Sequence, residues 1–405
     1  VNESDLVGLM RDNRQLLSTP LERTVARFRR HLHLPDPGAL LAMLATVAAN
    51  RLEGDPVWLV LVGPPGGGKS ELLGSLGGLE GVHAAATLTE AALLSGTPKK
   101  EREDSAKGGL LRVIGESGII VAKDLGSILS MNRDTRAALL AALREIYDGA
   151  WTRHVGTGGG LTLSWAGKVG LVAGCTPTID RQHGVMGAMG ERFILFRLPD
   201  VDSATQARRA LAHAGKEQTM RNELAAAVGD LYGAGLADPQ PLEKDDRERL
   251  VSLATLVVRC RSSVERDSYS REVELIPDAE APTRLVVVLA RLLAGLDAIG
   301  ASRDTAWPVI TKAALDSIPA IRRDVITALH ATTQADTTEL ATSIGYPTST
   351  AKRALEDLTA HGIVNCQPGG KGKAHSWTLT DFARQNYTAA TTQPEMSVLL
   401  SYTDT

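Results

Sequence analysis

Short apolar runs and longer amphipathic stretches alternate through the middle of the chain. Residues 58–62, 118–122, 169–173 and 193–198 are brief and almost wholly apolar, as strands covered on both faces are. Helical stretches such as 136–147 separate them. This rhythm predicts an α/β unit, a mostly parallel sheet flanked by helices. Upstream, residues 5–52 carry helical patterns broken by Pro35, Asp36, Pro37 and Gly38. Between 151 and 167, Leu161, Leu163 and Trp165 alternate with Thr162 and Ser164 after the turn Thr157, Gly158, Gly159, Gly160, which reads as a β-hairpin.

Beyond residue 203 the period becomes helical, with apolar faces around 224–231, 250–258 and 285–296. From 321 the chain reads helix (323–330), helix (338–344), a turn at Gly345, Tyr346 and Pro347, and helix (349–361). Strands 363–367 and 375–379 follow, joined by a glycine-rich loop. That is the order of a winged helix-turn-helix. The threonine-rich end of the chain, from about 386, is expected to be a flexible tail.

A length of 405 residues with 43% apolar content accommodates two or three cores. The net charge of −3 removes overall basicity as an argument for nucleic acid, so such contacts must be local. Cys175, Cys260 and Cys366 are far apart and odd in number, against a disulfide framework or a zinc site and in keeping with a cytoplasmic chain. The stretch 285–296 is short and carries Arg291, and no basic-then-apolar leader is seen, so neither a membrane span nor a signal peptide is expected. The charged run 99–104 reads as a solvated loop rather than a binding patch.

The most specific chemistry lies at residues 63–70. Gly63, Pro64, Pro65, Gly66, Gly67, Gly68, Lys69 and Ser70 spell G-x-x-x-x-G-K-[ST], directly after the run 58–62 and before a helical start. The glycines free backbone N–H groups to surround phosphate oxygens, Lys69 supplies a cation, and Ser70 can ligate Mg²⁺. Accidental matches arise in roughly one or two chains per hundred of this length, and the flanking strand and helix lower that further. Three further features follow in order. The run 119–122 ends at Lys123, Asp124 and Leu125, where Asp124 could hold the Mg²⁺ shell. The run 169–175 ends at Thr176, whose hydroxyl either touches the γ-phosphate or only starts a turn before Pro177. Arg192 precedes the last strand and either neutralises charge on a transferred phosphoryl group or forms a surface ion pair.

This order, together with helices containing Pro282, Thr283 and Arg284, resembles an AAA+ ATPase. The hairpin before the strand that ends at Thr176 resembles the pre-sensor-hairpin clade, which includes the minichromosome-maintenance helicases and replication proteins of phages and mobile elements. The resemblance covers roughly residues 35–385 and implies ATP and Mg²⁺ as cofactors. It implies that Lys69 binds phosphate, Ser70 binds Mg²⁺, Thr176 is the first sensor, Arg192 the finger reaching a neighbouring subunit and Arg284 the sensor arginine of a helical lid. The last two roles imply a homo-oligomeric ring, commonly a hexamer. The implied division is an N-terminal helical module (1–52), a nucleotide-binding core (53–202), a helical lid (203–319), a winged helix (320–385) and a tail (386–405). One departure matters. The family's acidic pair has a single member here, Asp124, so hydrolysis is expected to be slow unless Glu116 or Asp134 swings in.

DNA is the partner implied at two places. In the third helix of the C-terminal unit Ala351, Leu355 and Leu358 share a packing face, while Thr348, Thr350, Lys352 and Arg353 lie near the end that enters a major groove in such motifs. Lys371 and Lys373 in the wing are placed for phosphates. Residues 320–385 hold seven Lys or Arg against six Asp or Glu, so a protein-docking role stays open. Arg153, His154 and Lys168 lie at or near the hairpin, which could grip a strand or serve as a structural turn. The expected function is an ATP-dependent DNA helicase or translocase. The alternatives are an ATP-controlled DNA-binding regulator and an ATPase that remodels proteins.

Overall fold

The computed structural model describes residues 18–95, 108–156, 160–184, 192–267, 269–370 and 374–392. Seven strands come first along the chain: β1 (Trp58–Val62), β2 (Val82–Ala85), β3 (Ser117–Ala122), β4 (Ala150–Val155), β5 (Leu161–Ala166), β6 (Lys168–Cys175) and β7 (Phe193–Arg197). Five of them form a parallel sheet in the order β2-β3-β6-β1-β7. The expected α/β class is borne out. β4 and β5 pair antiparallel as a separate hairpin, with Trp151 opposite Trp165. Of the hairpin's alternating residues, Leu163 and Trp165 are buried and Leu161 is exposed.

Alternate residues of the sheet enter two cores. Leu59, Leu61, Ile119, Val121 and Phe196 face one, and Trp58, Val60, Ile120, Ala122 and Leu171 face the other. Against the first lies the helix Gly38–Arg51, which is buried at every position from Gly38 to Asn50. An apolar surface all round suits a helix with neighbours on every side. These neighbours are the sheet and the helix Thr283–Ala298, whose Gly295 approaches so closely that a Cβ would sit 2.1 Å from the carbonyl oxygen of Ala45. Asn50 donates to the carbonyl of Val57 and accepts its N–H, both at 2.9 Å, which fixes the start of β1 against this helix. Residues 38–51 of the expected N-terminal helical module therefore pack directly on the sheet, and its residues 1–17 lie outside the described residues.

Helices Ser203–Ala212, Glu217–Gly233, Lys244–Arg261, Thr283–Ala298 and Arg303–Asp316 make the next layer. A small hairpin, β8 (Glu265–Arg266) with β9 (Val273–Leu275), interrupts it, an element the apolar pattern did not predict. Helices Ala320–Ala331, Thr337–Ile344 and Thr348–Ala360 follow. They pack on an antiparallel sheet of β10 (Ala335–Asp336), β11 (Val364–Gln367) and β12 (Ser376–Leu379), in the order β10-β12-β11. Apolar packing runs unbroken from the parallel sheet to Trp377 and Tyr387.

The expected tail begins too early. Residues Asp381–Thr391 form a helix capped by Thr380, with Ala383, Tyr387 and Ala390 buried at helical spacing and the Ala390 carbonyl accepting from Arg249 Nη2 at 3.1 Å. Threonine-rich composition obscured that face. Residues 393–405 of the expected tail, the run 99–104 and the hairpin tip 157–159 lie outside the described residues.

Candidate nucleotide site

β1 is wholly buried, so the backbone leaving it is held firmly. The Gly63 N–H donates to the Cys175 carbonyl at 3.1 Å, and Gly67 N–H closes a turn onto the Pro64 carbonyl at 3.1 Å. Gly66 (φ 75°) and Gly68 (φ 86°) adopt left-handed conformations with open space around them. Glycine is needed there for backbone reasons, since a side chain would be strained whatever the room. Lys69 then folds back, donating from Nζ to the carbonyls of Gly63 (2.6 Å) and Pro64 (2.7 Å). Ser70 follows, exposed, in the short helix Lys69–Gly74.

The sheet order brings the other two groups to the same edge. β6 lies between β1 and β3, so the carboxyl ends of all three strands are neighbours. Gly174 lets β3 and β6 close tightly there, because a Cβ would sit 2.7 Å from the Lys123 carbonyl oxygen. The Leu125 N–H donates to the Gly174 carbonyl at 2.7 Å. Asp124 is exposed at that edge, with Oδ1 accepting from Gly126 N–H at 2.9 Å. Burial lowers the Lys69 ammonium below its usual value, opposed by Cys175 and Asp124. The Cys175 thiol is itself pushed up to about 11 by burial first, then by Asp124. It is neutral at pH 7, which leaves Asp124 as the acidic neighbour of Lys69. Thr176 follows β6 directly, its Oγ1 at 2.6 Å from Thr178 Oγ1. Lys69, Asp124 and Thr176 thus share one strand-end edge.

Mg²⁺ demands few protein ligands when phosphates and water supply the rest. Ser70 and Asp124 could hold such an ion in that way. No cluster of three or more His, Cys, Asp or Glu suited to a metal occurs among the described residues. Glu116 is excluded as the second acid: its carbonyl accepts from Lys168 N–H at the amino end of β3, about 25 Å along the strand from Asp124.

Beside the loop opens a cavity of about 690 Å³, bounded by Pro64–Gly68 on one side and by His31, Leu34, Pro35, Arg209 and Met220 on the other. Its size falls in the range of small-ligand sites. The second layer reaches the loop here, with Arg221 gripping Glu71 through Nη2 at 2.8 Å and Nε at 3.0 Å. Sequence reasoning missed this wall. Its only signal was the proline break at 35–37, which says that the chain turns and not what it faces.

Arg192 and Arg284 are placed elsewhere. Phe193 pairs with Trp58, so Arg192 lies at the amino end of the sheet, about 16 Å along the strands from the loop. Its side chain is 5% exposed, bound to both Asp148 oxygens at 2.7 and 3.0 Å and lying 5.3 Å from the Tyr147 ring centroid. Arg284 pairs with Glu280 at 3.3 Å and lines a cavity of about 550 Å³ with Tyr147, Asp148 and Lys168. The two arginines therefore share a face opposite the glycine-rich loop and do not meet Lys69 of their own chain.

The candidate DNA residues divide in the same way. Arg153 donates to the Leu94 carbonyl at 2.7 Å, while His154 is exposed and meets Thr162 across the hairpin at 3.1 Å. Lys168 is turned inward, donating to the Leu52 carbonyl at 2.5 Å, and burial first, then Arg291, pushes it down to about 8. It opens β6, two residues after the hairpin's second strand. In the helix Thr348–Ala360, Lys352 and Arg353 are exposed and Thr350 is half-buried, opposite buried Ala351, Leu355 and Leu358. Lys371 and Lys373 lie outside the described residues. Among the described residues no helix is long and apolar enough to cross a membrane.

The chain matches no protein-family model, and none of the curated proteins compared with it is similar.

Proposed function

We propose that this chain is an ATP-driven DNA helicase or translocase of AAA+ type, with residues 320–385 acting as a winged helix that guides it onto DNA. The observation that carries the reading is the convergence of Lys69, Asp124 and Thr176 at three adjacent strand ends beside a loop of left-handed glycines. Phosphate oxygens would take over the Lys69 contacts that the Gly63 and Pro64 carbonyls now occupy. Ser70 and Asp124 would hold Mg²⁺, which draws charge from the phosphates when bound. Thr176 would contact the terminal phosphate or the attacking water.

Arg192 and Arg284 lie away from the loop of their own chain, and the face they share supports a ring in which one protomer completes its neighbour's site. Arg192 must leave Asp148 to do so. The exposed Lys352 and Arg353, on the helix that would enter a groove, support DNA as partner. Strand displacement on a forked duplex with ATP tests the motor. It is expected for the wild type and lost in Lys69→Ala. Absent unwinding with tight, sequence-specific duplex binding would instead mark an ATP-controlled regulator. The lone carboxylate and the engagement of Arg153 and Lys168 within the chain favour that second reading.

A further inference from the structure

We infer that Asp180 is a positioning residue coupling the nucleotide edge to the C-terminal unit, so that nucleotide at Lys69 and DNA on residues 320–385 bias each other through it. The inference rests on the functional reading above and adds the route between its two ends. Asp180 lies four residues after Thr176, in the 3-10 segment Pro177–Gln182. Both its oxygens are engaged. Oδ1 accepts from Arg197 Nη2 at 2.7 Å and from the backbone N–H of Ala320 at 3.2 Å, and Oδ2 accepts from Arg197 Nη1 at 2.8 Å. Ala320 is the first residue of the helix that opens the C-terminal unit.

Arg197 extends the connection in two directions. It ends β7 beside Val62, and the next residue, Leu198, donates to the Val62 carbonyl at 2.7 Å while its side chain crowds Gly63 at the base of the phosphate loop. The Arg197 backbone N–H donates to Asp316 Oδ2 at 2.7 Å, and Asp316 Oδ1 accepts from Arg323 Nη1 at 2.6 Å, one turn into the same C-terminal helix. Asp180, Arg197, Asp316 and Arg323 thus form a connected chain of two ion pairs joined through the Arg197 backbone N–H, in which Arg197 and Asp316 are buried and Asp180 and Arg323 are about a quarter exposed. Asp316 also accepts from Lys312 Nζ at 2.8 Å and Arg323 also donates to Asp324 at 3.0 Å, whereas the bidentate fork between Arg197 and Asp180 specifies direction as well as distance. A displacement of the turn after Thr176 pulls on the two-pronged contact with Arg197 and on the N–H of Ala320 together. It either breaks these contacts or moves the helix Ala320–Ala331. A mere fastening between layers would hold the same surfaces together without linking the two sites, and coupling evidence separates these cases.

Two variants of the full chain test it. Asp180→Asn removes the charge. Ala320→Pro removes the N–H that Asp180 accepts and sets the ring Cδ where that hydrogen pointed, so the carboxylate is pushed off the helix; the first helical position itself suits proline, after a residue already extended (φ −49°, ψ 135°). ATP hydrolysis with and without duplex DNA is measured, together with hydrogen exchange of the 321–323 amides with and without a non-hydrolysable ATP analogue. The wild type is expected to gain protection there on binding nucleotide, and both variants to lose that gain and at least about five-fold in DNA stimulation while keeping ATP and duplex affinities within about two-fold. Stimulation and protection unchanged in Ala320→Pro would overturn the coupling role and leave the functional reading standing. A wild-type chain that fails to bind ATP would overturn both.

Discussion

Several side chains whose types gave no hint of partners are fixed by burial. His183 is one of them: burial first, then Arg322, pushes its imidazole down to about 4 from the ordinary 6.5, and its Nε2 faces the Arg261 carbonyl. The unfolded chain therefore takes up this proton at a higher pH than the folded one. The contribution of His183 is complete above pH 6.5 and is lost as pH falls from there towards 4, by about 2 kcal/mol after allowance for partial exposure. Urea unfolding at pH 7 and pH 4.5 is expected to show this loss, and His183→Gln to flatten it; an unchanged acid slope in the variant contradicts the assignment. At this scale Lys69, Ser70, Asp124 and Thr176 were legible because motif spacing and strand ends are local properties. Asp148, Asp180 and Asp316 were not, because a carboxylate's role depends on which distant arginine faces it.

Among elements, the tightest fit is between the helices Gly38–Arg51 and Thr283–Ala298. With a Cβ at Gly295 meeting the Ala45 carbonyl at 2.1 Å, the helix axes must separate. Gly295→Ala is expected to cost about 1–3 kcal/mol, read as a lower urea midpoint with an unchanged slope. A wild-type midpoint would show that the crossing is loose. The buried strands, the hairpin of β4 and β5 and the three C-terminal helices were readable from period and turn residues. The pair β8 and β9 was hidden because it is too short, and too charged, to show an apolar face. The helix Asp381–Thr391 was hidden because alanine and threonine dilute the apolar signal of Tyr387.

For the whole molecule, the separation of Lys69 from Arg192 and Arg284 has a measurable consequence. If sites form between protomers, a chain with Lys69→Ala still offers its arginines, and one with Arg192→Ala still offers its phosphate loop. Mixing the two inactive variants in equal amounts is expected to restore about a quarter of wild-type hydrolysis, the fraction of neighbouring pairs with both parts intact. Activity no greater than the sum of the separate variants would rule out shared sites. By itself the sequence determined the α/β class and marked the glycine-rich loop 63–70, through short-range periodicity and a motif whose residues are contiguous. Only the tertiary structure decided that β6 runs between β1 and β3, drawing Thr176 and Asp124 to the loop, and that the two arginines lie at the far end of the sheet. Strand order and helix placement arise from long-range packing, in which residues more than a hundred positions apart become neighbours.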